Sequence, residues 1–148
     1  MDSVFSDRQQ RIIDLARSWL GTPYRHQCSS KGIGCDCIGL VRGVWREFYG
    51  HDKDPTDIPP YQSSWYEVDQ RDTMLVFGRR YLVEVGSLEE AVPGDVLAFR
   101  MKRGVSVKHC GILVSTERMV HSYSNQAVFE VDLGDWWRER VVTVLRFP

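Results

Sequence analysis

Residues 32–50 read "GIGCDCIGLVRGVWREFYG" and run from two cysteines one residue apart into an amphipathic stretch. Leu40, Val41, Val44, Trp45 and Phe48 recur at helical spacing, and Gly50 stands where such a helix would stop. This predicts a helix from about Asp36 to Tyr49 with Asp36 as its N-cap. Cys37 then takes the first helical position, where unpaired N–H groups and the helix dipole favour a thiolate. The neighbouring carboxylate opposes a second anion, and the conflict eases once Asp36 caps the N–H groups of Ile38 or Gly39. Gly39 inside the helix costs about 1 kcal/mol relative to alanine. A residue of that kind implies that another stretch of backbone, or a substrate, comes close. A small buried hydrophobe and half of a metal site are the competing readings of Cys37.

Upstream, "SDRQQRIIDLARSWLG" (6–21) sets Ser6 and Gln9 at capping-box spacing and repeats Ile12, Ile13, Ala16, Trp19 and Leu20 at helical intervals. Gly21 closes that helix as a C′ residue would. Residues 21–35 are rich in Gly, Ser and Pro and read as a loop. Residues 51–68 hold three prolines and read as an ordered surface excursion, and "DTMLVFGRRYLVEV" (72–85) reads as a third helix. Beyond them come five strands: "GDVLAFR", "KHCGILVS", "ERMVHSYS", "QAVFEVD" and "VVTVLRF". Helices followed by an antiparallel meander make an α+β pattern, with residues 1–148 as a single domain.

Nineteen Lys and Arg against twenty Asp and Glu leave a net charge of −1, so no basic stripe points to a nucleic acid. Apolar runs are only a few residues long, and no membrane span is expected. "MDSVFSDRQQ" has neither a basic n-region nor an apolar core, so synthesis in the cytoplasm without a secretory signal is the expectation. Four cysteines in that setting are reactive or buried more often than bridged.

A thiol at neutral pH needs a base. Two of the four histidines, His109 and His121, fall in adjacent predicted strands, where one imidazole is placed to fix the tautomer of the other. Gly111, in mid-strand, suggests a close approach to the helix that bears Cys37. Taken singly, each histidine also reads as a satisfied structural residue.

The stretches "GTPYRHQ", "CDCIGLVRGVWREFYG", "PGDVLAF", "HCGILVS" and "MVHSYS" together resemble the NlpC/P60 family of papain-like cysteine peptidases, in the right order and spacing from Gly21 to about Ser124. The resemblance implies a papain-like core in which a helix carries the cysteine against a small antiparallel sheet. It implies Cys37 as nucleophile, His109 as general base and His121 as the residue that orients it. Tyr24 matches the tyrosine whose hydroxyl lies beside the oxyanion, and Asp36 the aspartate that helps to bind a free substrate amine. The implied substrate is the bacterial peptidoglycan stem peptide, cut between D-glutamate and a diamino acid. Ile38 stands where the family often has serine, and Cys110 where an aliphatic residue is usual.

The length and the "CDCIGLVRGVWRE" wording resemble the branch found in tails of phages and gene-transfer particles, which implies phage-like tail proteins as partners and delivery on a particle. A catalytically silent tail-tip module and a thiol amidase or acyltransferase on another substrate remain as alternatives. His26, Cys28, Cys35 and Cys37 lie close enough in sequence to suggest zinc, but the C-x-C spacing is unusual and a zinc would consume the nucleophile; neither metal nor cofactor is expected. Cys28 with Cys35, or Cys35 with Cys37, could pair under oxidation.

Overall fold

The computed structural model describes residues 6–59, 72–104 and 106–148. Helix α1 (Asp7–Arg17) starts with the expected capping box: the Ser6 hydroxyl accepts from Gln9 N at 3.1 Å and the Gln9 side chain accepts from Ser6 N at 2.8 Å. It ends earlier than its apolar spacing suggested. Trp19 lies in the turns that follow, and Gly21 sits beyond them at φ +86°. Leu20, expected on the buried face, is 44% exposed because the chain has left the helical register.

Helix α2 (Cys37–Tyr49) packs across α1 through Trp19, which is fully buried and donates to Glu47 at 2.6 Å. A Cβ on Gly43 would fall 2.0 Å from the Trp19 ring, so the glycine lets the two helices meet. The loop before α2 is more ordered than its composition implied, with strands β1 (Ser29–Ser30) and β2 (Gly34–Cys35) forming a small antiparallel ladder. Of the excursion after α2, residues 51–59 are described: His51–Lys53 form a 3-10 turn, and Asp54 accepts from Arg42 at 3.1 Å. The remainder of that reading lies outside the described residues.

Helix α3 (Thr73–Tyr81) stops short of the expected residue 85. Leu82 turns extended, and the following residues become strand β3 (Val83–Glu84), which pairs with the last strand of the chain. The β-branched Val83 and Val85 favour that extension. β4 (Val96–Phe99), β5 (His109–Leu113), β6 (Arg118–Ser122), β7 (Val128–Asp132) and β8 (Val141–Arg146) correspond to the five expected strands. With β3 the sheet has six strands, antiparallel throughout, in the order β3-β8-β4-β5-β6-β7. Between β7 and β8 the chain makes a further short helix, α4 (Asp135–Arg138).

Both faces of the sheet are covered. Ile13, Leu40 and Val44 of the helices meet Ile112, Val120 and Val128 on one face. Leu97, Phe99, Met119 and Val144 fill the other face beneath Leu88 and Trp137. Burying each Leu, Ile, Val, Met or Phe contributes about 1.5–3 kcal/mol, so α2 is held against β5 by several such side chains. That packing fixes the helix N-terminus over the start of β5.

Candidate active site

Asp36 caps α2 from an extended backbone conformation, and it is only 2% exposed. One carboxylate oxygen accepts from Gly39 N at 2.8 Å and the other from Gln27 N at 2.7 Å. His26 lies 3.9 Å from the second oxygen. Gln27 adopts φ +61° to present its N–H, a conformation uncommon for a residue with a side chain. These two backbone bonds fix the carboxylate at the helix start. Gly39 is explained by the same contact region: a Cβ there would fall 1.8 Å from the Cys28 carbonyl oxygen. The close approach anticipated at Gly39 is therefore made by protein backbone.

Cys37 follows at the first helical position and is 9% exposed. Its Sγ lies 3.9 Å from the Lys108 carbonyl oxygen, so the thiol meets β5 at the end where His109 begins the strand. Alternation along β5 sends Cys110 to the helix side, where its thiol donates to the Cys37 carbonyl at 3.5 Å.

His109 Nε2 and His121 Nδ1 are 2.8 Å apart. The β5–β6 register pairs Ile112 with Val120; carried one step on, it sets Gly111 opposite His121. His109 therefore reaches His121 diagonally, across a position with no side chain. A Cβ on Gly111 would stand 2.9 Å from Met119 Sδ and 3.2 Å from His121 Cβ. The close approach expected at Gly111 is made by β6, and not by the helix bearing Cys37.

The histidine pair is enclosed by aromatic rings. Phe99 stacks on His109 with centroids 5.8 Å apart, Tyr123 and Trp137 lie 5.2 and 5.6 Å from it, and Trp137 meets His121 edge-on at 5.1 Å. Burial in this enclosure pushes the His109 pKa well below the ordinary imidazole value, with smaller contributions from His121 and Lys108. The His121 pKa is pushed down to about 4 by burial. Both rings are neutral at neutral pH, so one nitrogen of the contacting pair donates and the other accepts. If His109 donates from Nε2, its Nδ1 is the basic atom left to take a proton.

Tyr24 is half-buried and bridges Cys35 with its own backbone, while its neighbour Pro23 bridges Ala127. Its pKa is pushed up to about 12, first by burial and then by the negative charges that Cys37, Asp36 and Cys35 can carry. The phenol stays protonated and remains a donor near Cys37. Ser122 at the end of β6 donates to the Cys35 carbonyl at 2.7 Å and ties the sheet to the residue before Asp36. Cys35 itself is fully buried, which pushes its pKa up to about 11.

Cys37 adjoins Asp36 at the start of α2, close to Tyr24 and to the end of β5 where His109 meets His121. The structure also adds Phe99, Tyr123 and Trp137, which no local motif singled out. Among the described residues no group of three or more His, Cys, Asp or Glu side chains is placed to hold a metal ion. The arrangement offers a thiol at a helix N-terminus, a neutral buried base with an orienting partner, and a phenolic donor.

A family profile described as NlpC/P60 family matches residues 21–146. The chain is 24% identical over 127 residues to a protein of Escherichia coli (strain K12) named "Probable endopeptidase NlpC", covering 85% of this chain and 70% of that one. It is 22% identical over 137 residues to the "Gamma-DL-glutamyl hydrolase" of Bacillus subtilis (strain 168), covering 92% of this chain but only 29% of the other. The solved structure of RipD from Mycobacterium tuberculosis superposes with a TM-score of 0.56 at 15% identity, covering 96% of this chain and 98% of that one. RipD is described as a non-catalytic NlpC/p60 domain protein adapted to peptidoglycan binding, so the fold alone does not carry the activity.

Proposed function

The chain belongs to the NlpC/P60 family, and from that premise we propose that it is a cysteine peptidase that hydrolyses peptidoglycan stem peptides at the bond between D-glutamate and a diamino acid. The observation that carries this reading is the capped helix thiol set against the end of β5 where His109, bonded to His121, begins the strand.

In this mechanism His109 Nδ1 takes the Cys37 proton over the end of β5 while its Nε2–H stays donated to His121. The thiolate attacks the stem-peptide carbonyl, and the Cys37 N–H with the Tyr24 hydroxyl receives the oxyanion. His109, now charged, protonates the leaving amine, and it then activates the water that releases the acyl-enzyme. His121 is neutral and buried, so it holds the base in one tautomer without adding charge.

Asp36 is tied to Gly39 N and Gln27 N, which limits how far its carboxylate can turn toward a free substrate amine and weakens the preference for such an amine without abolishing it. Ile38, where a serine would add a hydroxyl, lines an apolar cavity of about 80 Å³ with Val41, Trp45, Met74 and Leu82. Both features favour stem peptides still attached to glycan over free peptides with an N-terminal amine. Such a preference suits an enzyme that opens an intact wall. Delivery on a phage-like tail is part of the proposal, supported by the "CDCIGLVRGVWRE" resemblance and by this preference.

Mass analysis of material released from intact sacculi, compared with hydrolysis of a free stem tripeptide, tests the reading. Wild type should release fragments bearing a new terminus at glutamate, and Cys37→Ala should release none. Strict dependence on the free amine, with sacculi untouched, would overturn the particle-delivery reading. No cleavage of either substrate would overturn the peptidase reading.

A further inference from the structure

The four cysteines are all free, and three of them have no part in the proposed hydrolysis. Cys35 is buried on the other side of Asp36, with its carbonyl held by Ser122, and Cys28 lies on the partly exposed loop before β1. Cys110 is placed differently. It follows His109 on β5, packs in the core beneath α2, and donates to the Cys37 carbonyl at 3.5 Å. The Cys37 Sγ lies at the same strand end, 3.9 Å from the carbonyl oxygen of Lys108. The nucleophile therefore has a second, buried sulfur as its neighbour.

We infer that Cys37 and Cys110 form a reversible disulfide when the protein meets a peroxide, with Cys110 as the resolving thiol. The inference rests on the proposed role of Cys37 as a thiolate nucleophile. In the first step the Cys37 thiolate attacks one oxygen of hydrogen peroxide and the O–O bond breaks. Sulfur is oxidised by two electrons to the sulfenic acid, and the peroxide leaves as hydroxide. In the second step the Cys110 sulfur attacks the sulfenic sulfur. The S–OH bond breaks, the S–S bond forms, and the Cys110 proton leaves with the hydroxide as water.

The surroundings of Cys110 suit this order of events. Its pKa is pushed well above the ordinary thiol value, first by its interaction with the neighbouring Cys37 and then by burial, so it does not compete for peroxide. Oxidation discharges the Cys37 sulfur and removes its negative charge from beside Cys110. Cys110 thus becomes easier to deprotonate once there is a sulfenic acid to attack. A nucleophile without such a neighbour passes on to the sulfinic acid, which thiols do not reverse.

The test is peroxide treatment of the purified full-length protein, followed by non-reducing trypsin digestion and mass mapping. Cys35 and Cys37 share the tryptic peptide between Lys31 and Arg42, so fragmentation must assign the bridged sulfur. The expected product is a peptide pair linked through Cys37 and Cys110, two hydrogens lighter than the free peptides and separated by dithiothreitol. In Cys110→Val, and in Cys110→Ala as a second variant, the same treatment should drive Cys37 to the sulfinic acid at several times the wild-type yield. A bridge from Cys37 to Cys28 or Cys35, an unoxidised Cys37, or equal sulfinic acid in wild type and variants would each overturn the inference. The readout is a mass, so it decides the matter whether or not stem peptides prove to be the substrate.

Discussion

His109 and His121 meet nitrogen to nitrogen at 2.8 Å, diagonally across Gly111, under a roof formed by Trp137. The contact works only while a single proton lies between the two rings, since two charged imidazoles could not share it. Everything around the pair is arranged to keep it neutral: the rings are buried, and the neighbours are aromatic.

Acid should therefore destabilise the fold through these rings. Both pKa values lie below the ordinary 6.5, so the unfolded chain binds more protons and stability falls as pH drops. The stabilisation is fully present above about pH 6.5 and is lost as pH falls toward the folded value, about 4 for His121. His121 alone contributes roughly 3 kcal/mol over that interval. Thermal melts between pH 7 and 4.5 should show the decline, and His121→Asn should make it shallower. Below about pH 4.5, protonation of Glu84 and Glu130, held down by hydrogen bonds from Arg79 and Arg17, should add to it. Equal slopes for wild type and variant would contradict this assignment.

Reactivity should separate the thiols. Cys37 should react first with iodoacetamide at pH 7, while Cys35 and Cys110, both pushed upward, should react last. Peptide mapping after short exposure reads the order. Uniform labelling, or protection of Cys37 alone, would count against its role.

The presence of a helix thiol and two strand histidines was legible because each announces itself within a few residues. Asp36 as N-cap, the Ser6–Gln9 box and the β5 and β6 patterns are local signals, and the structure matches them. What surrounds the histidines was not legible, since Trp137 arrives from a four-residue helix between the last two strands and Phe99 from β4. Nothing local distinguishes them from other core aromatics. Strand β3 was read as helix for a similar reason: its two residues are extended by pairing with β8, at the far end of the chain. The glycines at 39 and 111 announced close neighbours correctly, but which neighbour is a tertiary fact.

Substitutions at the dyad should behave as a unit. Cys37→Ala and His109→Ala should each lower the rate on wall fragments by roughly 10³-fold or more, and the double variant should be little worse than either. His121→Ala should lose less, because it positions the base without carrying the proton, and its pH–rate profile should change along with its rate. A mild His109→Ala beside a severe His121→Ala would reverse the two roles.

Gly39→Ala should destabilise the protein although the new methyl lies inside a helix that would otherwise welcome it. Its Cβ would need the place of the Cys28 carbonyl oxygen, 1.8 Å away, and overpacking of this kind costs about 1–3 kcal/mol. Urea titration followed by far-ultraviolet circular dichroism should show a lower midpoint, with the β1 loop displaced from α2. A midpoint equal to wild type would mean that the loop yields without cost.

The two hydrogen bonds on the Asp36 carboxylate join a loop amide at Gln27 to a helix amide at Gly39, and Ser122 fastens the preceding residue to the sheet. Helix start, loop and strand end cannot open one at a time without stranding a buried carboxylate. The amide protons of Gln27 and Gly39 should therefore exchange with solvent deuterium in one concerted opening, at a rate shared with the core strands and not with the surface loops.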